Sequence, residues 1–399
     1  MRNPFTFGDG GSASLIGRDR AIETVVESIR NRGRLFLTGP RRFGKTTVLK
    51  AAAQELNRSS SVVIRVEAEH FSTLDLLAQR IVGDVARSLK GDPGAVNKQV
   101  RAAFSTLNPE LQLSAVDGRQ SLSVTLRPSA QPGGALDVLI ETLRGLESLA
   151  QMLPPSVSVG LILDEFPRIL SLGGKHAEAG IRAVTQTHHH VGYVFAGSDV
   201  PSMIGMMIDP KRPFYRGGAN LYLGPLPRNE FEAFLGRQFR LGGFRADQEQ
   251  LRLLLNLADE VPFNTVLLAR SCWARMGEGR SSKGATLSRK VIEESLLQII
   301  REYDPMYTQI WAALTPFQQM TLLAVVRQRG VNLQSIRTAH AIGTGPATIR
   351  RALQSMIARE ILREELKMDE RRLRFIDPFF AHWIELFVEG PMSRFAGIP

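Results

Sequence analysis

The chain has 399 residues, 43% hydrophobic and 22% charged, which suits a globular protein of two or three domains and excludes a disordered or fibrous one. No apolar run approaches the ~20 residues that span a bilayer, the amino terminus lacks a signal-peptide core, and the single Cys272 excludes an intramolecular disulfide, so a cytoplasmic location is expected. The formal charge of +11 is compatible with nucleic acid, with an acidic protein partner, or with base-rich composition alone, and selects none of them.

Residues up to about 14 are Gly- and Ser-rich and expected to be ordered only by contact with the body. After Ile16-Gly-Arg-Asp-Arg20, a helix is predicted through Ile22, Val25, Val26 and Ile29. Arg34 to Thr38 is apolar and β-prone. Gly39-Pro40-Arg41-Arg42-Phe43-Gly44-Lys45-Thr46 follows, and Thr46-Thr47 opens a helix whose Leu49, Ala52, Ala53 and Leu56 recur at helical spacing. Strand, glycine loop and helix in this order make a phosphate-binding loop. Gly39 and Gly44 permit positive φ, so that successive N–H groups can curl around a triphosphate at the positive end of the helix. Lys45 is expected at the β- and γ-phosphates and the Thr46 hydroxyl at a magnesium ion.

Val62 to Val66 reads as a second strand and residues 72 to 90 as a helix. An insertion is expected over 108–134. Leu111, Leu113 and Ala115 alternate with polar residues, Asp117-Gly118 signals a hairpin turn, and Leu122, Val124 and Leu126 alternate after it. This hairpin reads as decoration on the nucleotide domain, or as a contact for a partner or DNA. A helix over 135–150 leads to Val157–Leu163, a buried-strand run ending in Asp164-Glu165, 119 positions after Lys45. Asp164 is placed to hold the magnesium through its waters, and Glu165 to orient or deprotonate the attacking water.

His188-His189-His190 cannot share one face of a helix or strand, so they read as structural and not as a metal site. The strand Gly192–Ala196 ends before Gly197-Ser198, where Ser198 is a candidate γ-phosphate sensor. Arg212 and Arg216 lie in a loop taken to follow the last strand of this domain. Either could neutralise transition-state charge, and either could be an ordinary surface arginine. Pro225 and Pro227 mark a boundary, and from Glu230 to about Glu302 the chain reads as a small helical lid.

In the last segment Thr315-Pro316 opens the first of three helices, near 316–328, 333–340 and 344–358, and two strand-like runs follow. Helix, turn, helix and hairpin form a winged-helix pattern, whose third helix would enter a major groove. Arg350, Arg351, Lys367, Arg371 and Arg372 are the candidate contacts to double-stranded DNA. Nine basic against five acidic side chains between 336 and 375 leave a protein-binding wing as the rival.

Together the motifs resemble those of the archaeal-type ATPase family of P-loop proteins, a branch close to the origin-recognition AAA+ proteins and the signal-transducing STAND ATPases. The likeness rests on Ile16–Arg20, residues 39–47, Leu161-Ile-Leu-Asp-Glu-Phe166, Ala196-Gly-Ser198, Leu223-Gly-Pro-Leu226 and Phe375–Trp383. It implies an α/β fold with a parallel sheet covered by helices on both faces. The domains would be an ATPase domain over 1–226, a helical lid over 227–304 and a winged helix over 305–399. It also implies ATP with Mg2+ as the ligand and an adenine pocket near Ile16 and Gly17. The activity implied is an ATP-hydrolysing switch acting on DNA, alone or as a homo-oligomer; the alternative is a slow nucleotide-gated signalling protein. Two departures stand out. Glu260-Val-Pro-Phe-Asn264 stands where the family usually has a Gly-Gly-x-Pro turn in the lid, and Tyr215-Arg-Gly-Gly218 where it often has a Tyr-Gly-Arg motif.

Overall fold

The computed structural model describes residues 3–5, 16–59, 61–116, 119–128, 134–278, 284–367 and 370–390, with backbone alone at 113–116, 119–122, 175, 366–367 and 370–371. The chain divides into two compact units, residues 18–224 and a second made of residues up to Gly17 with 225 onward.

In the first unit the order is α1 (Asp19–Arg30), β1 (Arg34–Thr38), α2 (Lys45–Arg58), β2 (Val62–Glu67), α3 (Leu74–Ser88), α4 (Pro93–Ala103), β3 (Pro109–Val116), β4 (Arg119–Leu126), α5 (Ala135–Met152), β5 (Val159–Asp164), α6 (Phe166–Gly173), α7 (Ala177–Thr187), β6 (Val191–Gly197), α8 (Val200–Ile208) and β7 (Ala219–Tyr222). Five strands form a parallel sheet in the order β2-β5-β6-β1-β7. Successive strand residues point to opposite faces. Leu35, Leu37, Val63, Ile162 and Val194 therefore pack with α1 and α2 on one face. Phe36, Ile64, Leu161, Leu163 and Phe195 pack with α3, α5 and α7 on the other. Burial on both faces is why these strands are near-continuous apolar runs.

The expected hairpin is β3 paired antiparallel with β4, Pro109 opposite Leu126. Its Leu111, Val124 and Leu126 pack against the α3 side of the core; the Asp117-Gly118 turn lies outside the described residues. Two elements correct the sequence reading. Between Val200 and Tyr222 the chain carries α8 and then β7, which adds a last strand at the sheet edge beside β1. Arg212 and Arg216 thus precede the last strand and do not follow it. Because β5, β6 and β1 are adjacent and parallel, Asp164, Ser198 and the loop after Thr38 gather at one edge of the sheet, where open α/β sheets bind ligands.

The second unit is helical: α9 (Arg228–Leu241), α10 (Gln248–Leu257), α11 (Pro262–Glu278), α12 (Arg289–Glu302), α13 (Asp304–Ala312), α14 (Pro316–Arg327), α15 (Ile336–Ile342) and α16 (Pro346–Ala358), then the hairpin β8 (Leu362–Lys367) and β9 (Glu370–Phe375) and the short α17 (Pro378–Trp383). One apolar core runs through it, from Phe231 and Leu254 to Leu353, Phe375 and Trp383. Thr315 and Gln318 close a reciprocal capping box on α14. Ile349, Ala352, Leu353 and Met356 form the buried stripe of α16.

Candidate functional site

The loop between β1 and α2 turns on two glycines with different reasons to be glycine. Gly44 takes φ +88, a conformation costly for any residue with a Cβ. Gly39 is not at positive φ, and its reason is space: a Cβ there would stand 2.6 Å from the Leu223 carbonyl oxygen. Arg42, with φ +70, supplies a second left-handed residue that the sequence did not reveal. Lys45 is buried, and its Nζ donates to the carbonyls of Gly39 at 2.8 Å and Pro40 at 3.0 Å. Behind the loop, Arg18 donates from Nη2 to the carbonyls of Phe43 at 2.9 Å and Gly224 at 2.8 Å. Burial brings the Arg18 guanidinium down to about 10. Arg18 belongs to the box Ile16–Arg20, in which sequence reasoning marks only the first two residues.

Asp164, 1% exposed, ends β5. Its Oδ2 accepts from the Thr46 hydroxyl at 3.3 Å and from Arg65 Nη1 at 3.0 Å. Its Oδ1 is buried with no hydrogen-bond partner among the described residues. Burial pushes this carboxyl above the usual aspartate range; Arg65 and Lys45 pull it down, and Glu165 and Glu67 push it further up. Arg65 was missed from sequence. Its signal was a charge interrupting the apolar run of β2.

Glu165 follows in a left-handed conformation, φ +56, a strained position for a non-glycine residue. Its Oε2 accepts from both the Ser198 backbone N–H at 3.1 Å and the Ser198 hydroxyl at 3.0 Å. Arg41 Nε reaches the same hydroxyl at 3.5 Å, and its Nη2 reaches Glu69 at 3.3 Å. Lys45, Thr46, Asp164, Glu165 and Ser198 are therefore brought together. The arginines are not. Arg212 Nε donates to Glu178 at 3.0 Å, and Arg216 is exposed with its guanidinium 5.3 Å from the Tyr215 ring centroid. Ile16 packs against the helical core of the second unit, where a Cβ on Gly17 would meet Pro227 and Glu230 at 3.0 Å.

The three histidines are occupied structurally. Glu147 accepts from the backbone N–H groups of His189 and His190 and pairs with His190 Nδ1 at 2.8 Å. His188 Nδ1 lies 2.6 Å from the Tyr193 hydroxyl.

In the carboxyl-terminal array, Arg350 and Arg351 are exposed on α16, with Arg350 Nε donating to Gln334 at 3.1 Å. Arg372 is partly buried on β9, and the side chains of Lys367 and Arg371 lie outside the described residues. The hairpin's other arginines face inward: Arg363 and Arg374 both reach Asp259, each at 3.3 Å.

A buried carboxylate oxygen lacking a partner, beside a threonine hydroxyl, is a hard-oxygen donor set that fits Mg2+ held largely by nucleotide phosphates and water. Among the described residues no group of three or more His, Cys, Asp or Glu side chains could hold a metal ion unaided. No described helix is long and apolar enough to cross a membrane.

Residues 29–179 match the model of a family described as AAA domain. No curated protein matches the chain. Among solved structures, the chain is similar to the Walker-type ATPase of Pyrococcus abyssi, at 16% identity over 96% of this chain and 100% of that one, with a TM-score of 0.63. It is also similar to the ORC2 protein of Aeropyrum pernix in its ADPNP-ADP complexes, at 16% identity over 92% of each chain and a TM-score of 0.54. At such identities the likeness establishes the fold, which is a P-loop, AAA-like one with a helical carboxyl-terminal region.

Proposed function

From this AAA-like P-loop fold we propose that the chain is a magnesium-dependent ATP hydrolase working as a switch, with its carboxyl-terminal helices and hairpin contacting double-stranded DNA. The observation that carries the reading is the meeting of Lys45, Thr46, Asp164 and Glu165 at the carboxyl edge of β1 and β5. The backbone of residues 39–47 cradles the phosphates, with Pro40, Arg41, Arg42, Phe43 and Thr47 shaping the loop. Lys45 neutralises the β- and γ-phosphates. Thr46 through its hydroxyl and Asp164 through bound waters would hold Mg2+, which when bound would offset charge on the transferring phosphoryl oxygens. Glu165 orients the attacking water and receives its proton, while the two bonds from Ser198 fix the carboxylate. Arg216, exposed, is the better candidate for acting across a subunit boundary, because Arg212 is committed to Glu178. Arg350, Arg351, Lys367, Arg371 and Arg372 are the DNA contacts.

The test is ATPase rate at low salt with and without duplex DNA, using Glu165→Gln as control. Stimulation by DNA that disappears in Glu165→Gln supports the whole reading. Equal rates for wild type and Glu165→Gln would sink the assignment of the base. Two observations favour a second reading, a slow nucleotide-gated switch with a protein partner: Arg363 and Arg374 are used internally, and Ile336 at the start of α15 is 77% exposed. Slow turnover indifferent to DNA would select it.

A further inference from the structure

We propose that Arg65 is a positioning residue for the metal end of the site. It acts as a built-in counter-ion that holds Asp164 before Mg2+ arrives and passes to Glu67 when the ion binds, and so sets the magnesium concentration at which nucleotide is retained. The inference rests on the reading of Asp164 as a metal ligand.

Arg65 and Glu67 are two apart in β2 and so share a face of the sheet. That face is the one Val63 presents to α1 and α2, hence the face of the phosphate-loop helix. In the parallel register Glu67 lies directly beside Asp164. The guanidinium of Arg65 accordingly sits between two carboxylates, 3.0 Å from Asp164 Oδ2 and 3.7 Å from Glu67 Oε2. The two seats differ. Asp164 is 1% exposed, so its charge most needs a partner; Glu67 is 29% exposed and already tolerates water.

Asp164 Oδ2 also accepts from Thr46, the residue expected to share the ion. A guanidinium on Oδ2 and a divalent cation brought to the same carboxylate at its unpartnered Oδ1 would lie close enough to repel each other strongly. Arrival of the ion removes the reason for Arg65 to stay, and Glu67 is the acceptor within reach of a side-chain rotation. The strand thereby carries a two-position cation, and its resting position competes with the metal.

The experiment measures binding of a fluorescent, non-hydrolysable ATP analogue by anisotropy while MgCl2 is titrated, on the full chain. Arg65→Gln is expected to lower the magnesium concentration for half-maximal binding by about tenfold, within the usual range of coupling between sites. Glu67→Gln, which removes the second seat, should raise it several-fold. Arg65→Lys keeps the charge and should stay near wild type. Urea unfolding of each variant checks that it is folded. An unchanged or higher half-point for folded Arg65→Gln overturns the proposal. Should Arg65→Gln not fold, Glu67→Gln decides alone, and a wild-type half-point there overturns it. Asp164→Asn separates the two levels: if it leaves the magnesium dependence untouched, the metal-ligand reading fails and takes this inference with it. If it shifts the dependence while Arg65→Gln and Glu67→Gln do not, only the role of Arg65 falls.

Discussion

Asp164 in the first unit and Asp259 in the second are both aspartates raised above their ordinary range by burial and met by arginines, yet they are built for opposite ends. At Asp164 one oxygen is shared by Thr46 and Arg65 while the other has no partner among the described residues. At Asp259 each oxygen has its own arginine: Oδ2 has Arg363 and Oδ1 has Arg374. Glu365 then braces those arginines at 3.4 and 3.3 Å. An acid with an oxygen to spare is arranged to receive something. One with both oxygens matched is a fastening, here tying the turn after α10 to the hairpin β8–β9. The residue types are the same; what distinguishes the sites is whether each polar atom is already satisfied.

The largest effect that separates them belongs to the receiving site. Lys45→Ala is expected to weaken ATP binding by about a hundredfold or more, since it deletes the charge-assisted bond to the phosphates. Calorimetric titration checks it. Glu165→Gln, by contrast, should bind like wild type and turn over about a hundredfold slower or worse, the usual worth of a general base. Next comes the fastening. Arg363→Ala removes a buried arginine, leaves the partly exposed Asp259 with one partner, and should cost roughly 1–3 kcal/mol. Urea unfolding measures that cost, and nucleotide affinity should not follow it. A cost below about 0.5 kcal/mol, typical of an ordinary surface change, would reduce the cluster to decoration.

A smaller effect is expected on α16. Replacing Arg350 and Arg351 together with Ala should reduce the slope of log affinity for duplex DNA against log salt by about 2, one for each phosphate no longer neutralised. Stability should hardly change, because both side chains are exposed. A wild-type slope in the double variant would shift the comparison: the second unit would then be fastened for a protein partner and not for DNA.

How far the sequence foretold these two sites follows from how local their causes are. The phosphate loop was readable because Gly44, Lys45 and Thr46 each answer a demand set within a few residues. The strand before Asp164 was readable because burial on both faces demands an unbroken apolar run. Arg65 was visible as an interruption of such a run, but its partner stands 99 positions away on another strand. β7 escaped because it is four residues long at the sheet edge, and Ala219, Asn220 and Tyr222 are exposed, so no apolar pattern marks it. The Asp259–Glu260 turn escaped for the opposite reason. Both take positive φ, +48 and +56, a conformation that glycine adopts far more readily. Their carboxylates, tied to Arg363, Arg374 and Arg228, offset the strain through bonds no local pattern encodes.

The smallest effect tests the fastening by pH. His382 on α17 faces an acceptor from each ring nitrogen, Glu385 at 3.0 Å and the carbonyl of Leu257 at 2.9 Å. Leu257 ends α10, two residues before Asp259. Burial alone would lower the imidazolium's pKa, but the Glu385 contact, the Leu257 carbonyl and the nearby charge of Asp259 outweigh it and raise the group above its ordinary value. A histidine whose folded value exceeds its unfolded value, about 6.5, stabilises fully below that unfolded value. The contribution fades as pH rises through the folded value. The stability difference between wild type and His382→Asn should therefore be largest near pH 6 and shrink by pH 8, as read from urea midpoints at the two pH values. A difference that instead grew with pH would mean that the ring is held neutral, donating from one nitrogen only, and that Asp259 is fastened by its arginines without help from this side.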